Sequence, residues 1–286
     1  MGYHHILMMI LAVGILFICT IQFPHRHPGS IRISQLISVL TALLIAGCSS
    51  GNLSNVFLLS LRYKDTSSLA LSDPTIVNTG IAHAVQNVTQ SGDEPILEVR
   101  AGYMGLCIML NDGEWICSTS ATSLTNIVKL SSSSTNGTRD PLNLIYIANS
   151  FKDDIVFDGL LFIVVAVAVF CFVMLSTFPG WHEEVDDGGS AVEVKPFPSR
   201  QVSHAALGAS AVGFAFGLIS ALWQHINSAA AASMAEKLSY GQITGHVGPA
   251  AMAFGWIGVV LIGVETLGLL VMIMSIKIIE SLADDD

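Results

Sequence analysis

Apolar and polar positions along the chain fall into two patterns. Unbroken apolar runs occupy residues 6–23, 36–48, 155–178, 205–223 and 249–275, and a helix of about 20 apolar residues crosses a bilayer. The run at 36–48 is short unless it draws in Ile31 and Ile33. Between the second and third runs the pattern changes to alternation. In 55–64 (NVFLLSLRYK) Leu59, Leu61 and Tyr63 oppose Ser60, Arg62 and Lys64, and in 96–104 Leu97, Val99, Ala101 and Tyr103 oppose Glu98, Arg100 and Gly102. A period of two predicts half-solvated strands.

The stretch 101–120 (AGYMGLCIMLNDGEWICSTS) predicts a hairpin. Apolar runs flank Asn111, Asp112 and Gly113, and the third position of a three-residue loop needs φ > 0, which glycine adopts freely. Counting outward pairs Leu110 with Glu114, Met109 with Trp115, Ile108 with Ile116 and Cys107 with Cys117. Facing residues lie ~4.5 to 5.5 Å apart, close enough for bridging. A Cys107–Cys117 disulfide in an oxidising compartment is therefore expected; the alternative is two unpaired thiols in a buried strand. These segments predict a three- or four-stranded antiparallel sheet standing on a helix bundle, with 65–93 and 131–140 as loops.

Composition sets the class. The 286 residues are 52% hydrophobic and only 12% charged, too apolar for two soluble domains, so this is a mainly α membrane protein. A net charge of -10 argues against nucleic acid as a partner and leaves no basic stripe for anionic lipid. All three N-x-S/T acceptors, Asn52, Asn87 and Asn136, fall between residues 49 and 154, which places that loop outside the cell as a glycosylated segment.

The chain then divides into an apolar N-terminal segment (1–30), spans at 31–48, 155–178, 205–223 and 249–275, external loops at 49–154 and 224–248, a cytoplasmic loop at 179–204 and a cytoplasmic tail at 276–286. Within 224–248 an alanine-rich stretch from Ala229 to Leu238 is helical in pattern. The turn at 24–35 carries Arg26 and Arg32, and the 179–204 loop carries Lys195 and Arg200, as the positive-inside bias asks. The run at 6–23 has neither a basic start nor a small-x-small cleavage site; it reads as a signal anchor or an extra span, and in the second case the N-terminus is outside.

Few residues offer chemistry. No H-E-x-x-H, phosphate loop, G-x-S-x-G or CxxC occurs, so no enzyme, cofactor or catalytic residue is expected. His25 and His27 read as solvated turn residues rather than a metal site, and no metal centre is expected. Asp112 and Glu114 could offer oxygens to calcium at the hairpin tip, although turn chemistry explains Asp112 without it. Cys19 and Cys171 lie inside apolar runs, where packing is their role. Cys48 closes LLIAGCSS, which resembles a lipoprotein box, yet three strong spans follow it. Gly213 and Gly217 form a small-xxx-small pair suited to close helix contact. Two acids fall within apolar runs: Asp158 in the first turn of its run, and Glu265 at mid-span, where an acidic residue costs about 2.5 to 3.5 kcal/mol and demands a partner, water or protonation. Ser210, Ser220 or an exposed carbonyl on the preceding helix are its candidate partners.

Four spans, a large first external loop and a Gly-Leu followed by a two-cysteine hairpin resemble the claudin-like superfamily. More specifically, the chain resembles the fungal family of pheromone-induced, claudin-like calcium regulators and membrane-fusion proteins of mating. Gly47, Cys48 and the strand Asn55 through Tyr63 are similar to that family's first span and following strand. Gly102, Tyr103, Gly105, Leu106 and Cys107 resemble its G-[FY]-x-G-L-C element, and Trp115 with Cys117 its W-x-C. The resemblance implies a claudin-like four-helix bundle with a small extracellular sheet in the plasma membrane. It implies calcium influx and membrane fusion during mating, with membrane lipid and a calcium channel or other contact-zone membrane proteins as partners. The aromatic that follows Gly-Leu in claudins is absent here, and no loop tryptophan precedes Trp115, so pore chemistry of the claudin kind is not implied. A cell-cell adhesion protein without an ion role is the alternative.

Overall fold

A computed structural model describes residues 30–64, 80–81, 85, 97–109, 113–131, 140–178, 182–185, 191–194 and 199–284. The described elements are helix α1 (Ser30–Ile45), a 3-10 turn (Gly51–Leu53), strands β1 (Leu59–Tyr63), β2 (Glu98–Ala101), β3 (Leu106–Met109) and β4 (Trp115–Ser118), helices α2 (Ala121–Ser131) and α3 (Leu144–Ser150), a π turn (Phe151–Ile155), helix α4 (Gly159–Ser176), strands β5 (His182–Val185) and β6 (Ala191–Val194), helix α5 (Arg200–Leu238), strand β7 (Ile243–Val247) and helix α6 (Pro249–Asp284). They form two compact units. One comprises the described residues of 1–42, 159–219 and 255–286, the other those of 43–158 and 220–254.

The first unit is helical. Three helices, Gly159–Ser176, Arg200–Leu238 and Pro249–Ile279, hold windows long and apolar enough to cross a membrane, and only 33% of each window is buried within the chain. Such helices, apolar on nearly every side, leave the rest of that surface for lipid. Four core spans were expected. α1 has 16 residues, about 24 Å of helix against a hydrocarbon core of about 30 Å, and only its Leu36–Ile45 portion counts as apolar. It begins at Ser30, so residues 30–35 are helical rather than part of a turn. Ile37, Val164 and Ile262 form one buried cluster, and Leu175, Ala206 and Leu269 another. A Cβ on Gly213 would meet Val167 at 3.0 Å, and one on Gly217 would meet Ile262 at 3.6 Å, so this glycine pair packs helices of the same chain. Cys171 is a buried free thiol. The two-stranded β5–β6 hairpin belongs to this unit as well.

The second unit is built on a five-stranded antiparallel sheet in the order β4-β3-β2-β1-β7, not the three or four strands expected. The added strand is β7, whose Ile243–Val247 pairs along the whole of β1. It comes from 224–248, where the sequence predicts a helical stretch over Ala229 to Leu238, which α5 contains, but no strand. α5 also enters that segment, running unbroken for 39 residues to Leu238, about 58 Å, because Gln224 to Asn227 interrupt hydropathy without interrupting helix propensity. Beyond β4 the chain forms α2, whose last residue is Ser131.

Register sorts the sheet into two faces. Leu59, Ala101, Leu106 and Ser118 align across strands, as do Leu61, Val99, Ile108 and Ile116, and this largely apolar face is buried. α3 contributes buried Leu144, Ile145 and Ala148. The opposite face aligns Ser60, Arg100, Cys107 and Cys117, with Glu98, Met109 and Trp115 one step along. Ser60, expected on a solvated side, is 3% exposed, because that side is covered by the contacts described next.

Candidate functional site

The hairpin has the register its turn chemistry predicts. Cys107 faces Cys117, Ile108 faces Ile116 and Met109 faces Trp115, and Gly113 has φ +75°. The two cysteines are bonded, with Cα atoms 4.0 Å apart. Leu110, Asn111 and Asp112 lie outside the described residues, and so does any calcium role for Asp112. Among the described residues no group of three His, Cys, Asp or Glu side chains could hold a metal.

Around the disulfide the backbone is packed to contact. A Cβ on Gly102 would lie 2.4 Å from the Gly47 carbonyl oxygen, and one on Gly105 would lie 2.2 Å from that of Cys48. The Gly102 amide donates to the Gly105 carbonyl at 2.9 Å, closing the turn between β2 and β3. Only glycine fits at these two positions, because each added methyl would overlap a carbonyl. Cys48 itself is a buried free thiol beside Phe57 and Cys107. Tyr103, at the tip of the same turn, donates to Gln224 Oε1 on α5. Burial raises the pKa of its hydroxyl above the usual tyrosine range, against an opposing pull from the Ser220 hydroxyl. Gly47, Cys48, Gly102, Tyr103, Gly105 and Cys107 are thus one contact, dispersed in sequence.

Arg100 organises the face that carries the disulfide. Its guanidinium lies 3.9 Å from the Trp115 ring centroid and 4.6 Å from that of Phe57. Its Nε donates to Glu98 Oε1 at 2.9 Å, and its Nη1 donates to the Ser54 carbonyl at 3.1 Å and to Asn55 Oδ1 at 2.9 Å. Ser60 Oγ donates to the same Glu98 oxygen at 2.9 Å. The Arg100 and Glu98 side chains are 16% and 11% exposed, so the pair is largely dry. A planar, always-charged fork can serve a carboxylate, a carbonyl and two rings at once, which an ammonium cannot. Alternation alone read Arg100 as a solvated strand residue. The available signal was the shared face of Arg100, Cys107 and Trp115, which requires the β2–β3 register as well as the hairpin.

The remaining expected residues are not brought together with this cluster. Asn52 is exposed in the 3-10 turn; Asn87 and Asn136 lie outside the described residues, as do Cys19, His25 and His27. Asp158 immediately precedes α4 rather than sitting in its first turn. Glu265 is buried on α6 at 8% exposure, and its Oε1 has no hydrogen-bond partner among the described residues. Ser210, an expected partner, instead shares a hydrogen bond of 2.7 Å with Thr266, and Ser220 lies beside Tyr103. A second hub holds the α3 side of the sheet: Asp140 Oδ1 accepts from the Tyr63 hydroxyl and the Leu144 amide, both at 2.7 Å. Burial and the Asp140 carboxylate push the Tyr63 hydroxyl far above its usual pKa.

These features define a multi-span membrane protein carrying a disulfide-locked sheet. A family model described as "Ca2+ regulator and membrane fusion protein Fig1" matches residues 82–275, and the chain belongs to that family. No curated protein matches the chain. The matched region includes the G-Y-x-G-L-C and W-x-C elements and begins after Gly47 to Tyr63. The family's description is that of a regulator and fusion protein, not of an enzyme.

Two outcomes follow from this geometry. Gly105→Ala should destabilise the protein by about 3 kcal/mol or more, since the methyl meets rigid backbone. Gly258→Ala, whose Cβ would meet nothing within 4 Å, should be neutral or stabilising by about 1 kcal/mol through helix propensity; thermal unfolding of the two purified variants checks the contrast. Arg100→Met should cost about 3 to 5 kcal/mol by leaving the buried Glu98 charge without its cation. Adding Glu98→Met should recover much of that loss, as a double-mutant cycle will read.

Proposed function

We propose that the chain is a fungal plasma-membrane protein that promotes calcium influx and membrane fusion during mating. In this reading it has a claudin-like core of four spans, residues 31–48 among them, with 49–154 and 224–248 outside the cell. The observation that carries the topology is the five-stranded sheet. Strands at 59–118 and at 243–247 hydrogen-bond in one sheet, which supports placing both on one side of the membrane, with α4 and α5 as the two crossings between them. A disulfide between Cys107 and Cys117 supports an oxidising side, and the exposure of Asn52 suits a glycan acceptor.

The protein acts as a regulator or organiser rather than as the pore. Calcium takes six to eight oxygens, whereas Glu265 is a single carboxylate and the nearby Ser210 and Thr266 hydroxyls are engaged with each other. The half-exposed β4 edge, held from beneath by the disulfide and Arg100, suits recognition of another membrane protein at the contact zone, such as a calcium channel, with membrane lipid around the helices. An adhesion role without ions is the rival reading, favoured by β4, an edge strand whose four residues are all half-exposed; cell aggregation with no calcium signal would establish it.

The test is stimulated calcium uptake in cells expressing the intact chain, Cys107→Ser or Glu265→Gln at matched surface levels. Loss of uptake in Cys107→Ser with uptake retained in Glu265→Gln is expected of a regulator. The reverse pattern would overturn it and assign the ion path to α6.

A further inference from the structure

The second unit contains a cavity of about 480 Å³ that the glycine turn and the Arg100 face do not use. Its inner wall is Leu61 and Ile243 of the sheet with Phe151 of the π turn, and its mouth is Ile147 of α3 with Met234 and Leu238 of α5. The volume lies within the range of about 300 to 1,000 Å³ typical of small-molecule sites. Met234 is 61% exposed and Leu238 76% exposed, so the apolar surface continues from the cavity out to its rim, as it does at sites that take an apolar ligand.

Among the described residues, one charged side chain lines this cavity. Asp154, on the π turn, is exposed and accepts from Ser150 Oγ at 2.7 Å. It forms no ion pair among the described residues, whereas its neighbour Asp153 is paired with Lys152 at 2.7 Å. The π turn produces this arrangement, since it puts Phe151 inside and Asp154 at the edge, and such turns recur at functional sites. A long apolar wall closed by one unpaired carboxylate is complementary to an amphiphile.

We propose that this cavity binds the hydrocarbon chain of a single lipid-class amphiphile, with a cationic head, an amine or quaternary ammonium, seated at Asp154. Hydrocarbon fits the lining, and the head follows from the negative charge of Asp154. The site is independent of the calcium reading. It gives the sheet-bearing unit a lipid contact of its own, shared between the sheet, the π turn and the last turns of α5.

The test uses the full chain in phosphatidylcholine nanodiscs, titrated with radiolabelled dodecylamine, dodecanol or dodecanoate, with empty nanodiscs as the background. One saturable site per chain is expected, with dodecylamine preferred over dodecanoate by about threefold, the scale of an exposed charge pair. Asp154→Asn should remove that preference and keep the saturable site. Ala235→Trp, which places an indole in the cavity, should remove saturable binding altogether, with Ala231→Trp as the second filling variant if the first does not fold. An unchanged melting temperature and an intact Cys107–Cys117 bond would show that folding is preserved. Uptake equal to that of empty discs, or saturable binding that persists in both folded tryptophan variants, would overturn the proposal. A preference for the amine that survives Asp154→Asn would overturn the placement of the head.

Discussion

The contact on which the sheet-bearing unit depends is backbone against backbone. The turn at 102–105 lies on the turn at 47–48 so closely that no side chain fits between them. Two consequences follow for the residues around it. Cys107, just beyond the turn, is brought under the Cys48 carbonyl, which seats the hairpin and its disulfide against the end of α1. Tyr103, at the tip, is carried to Gln224. A larger residue at Gly102 or Gly105 would separate all of these at once, because interiors packed to crystal-like density cannot yield locally without moving their neighbours. The same device recurs where a Cβ on Gly245 would lie 2.6 Å from the Ala232 carbonyl oxygen and one on Gly248 would lie within 2 Å of that of Phe57. Glycine is weak in a strand, yet Gly245 lies within β7 because α5 passes too near for anything larger.

On the other face the order comes from charge. Arg100 joins Phe57, Trp115, Glu98, Ser54 and Asn55, so the segment that follows α1 is held to β2 and β4 by one side chain. A buried ion pair contributes little to stability over a well-packed apolar substitute. What it supplies is register: a guanidinium that must satisfy an acid, a carbonyl and two rings tolerates no slip of β2 against its neighbours, and a slip of one residue would send Arg100 to the apolar face. The disulfide fixes β3 against β4, and Arg100 extends that constraint to β1.

How much of this was legible from sequence depended on the distance between partners. The hairpin register, the positive φ of Gly113 and the cysteine pairing are set within about ten residues, where turn chemistry and a period of two are sufficient. Strand β1 was legible from Leu59, Leu61 and Tyr63 for the same reason. Strand β7 was not: ITGHV is short, carries a glycine, and meets its partner β1 some 180 residues away in sequence, so nothing local distinguishes it from a loop. The helical pattern of Ala229 to Leu238 was legible from its Ala, Met and Lys residues, but its continuity with the preceding helix was hidden by a hydropathy reading that ends the run at Trp223. The glycines and cysteines of the motif were visible as letters, but their meaning was not, since Gly47 and Gly102 become neighbours only after two strands have paired.

Glu265 looks at first like a defect in the helical unit, a buried acid whose expected hydroxyl partner is hydrogen-bonded elsewhere. The energetics of insertion remove that difficulty. An acidic residue at mid-span costs about 2.5 to 3.5 kcal/mol, while each Leu, Ile, Phe or Val contributes about −0.3 to −0.6 kcal/mol. Residues 249–275 contain 12 of these four types, a sum of about −4 to −7 kcal/mol by the same scale, enough to offset one acid whose Oε1 has no hydrogen-bond partner among the described residues. The Ser210–Thr266 bond leaves Glu265 aside: Thr266 donates to the Ile262 carbonyl one turn back, so the Ser210 hydroxyl donates to Thr266. An acid whose cost the apolar content of its own helix can offset does not have to be explained by a structural partner, and this separates the chemistry of Glu265 from the packing of the helices around it.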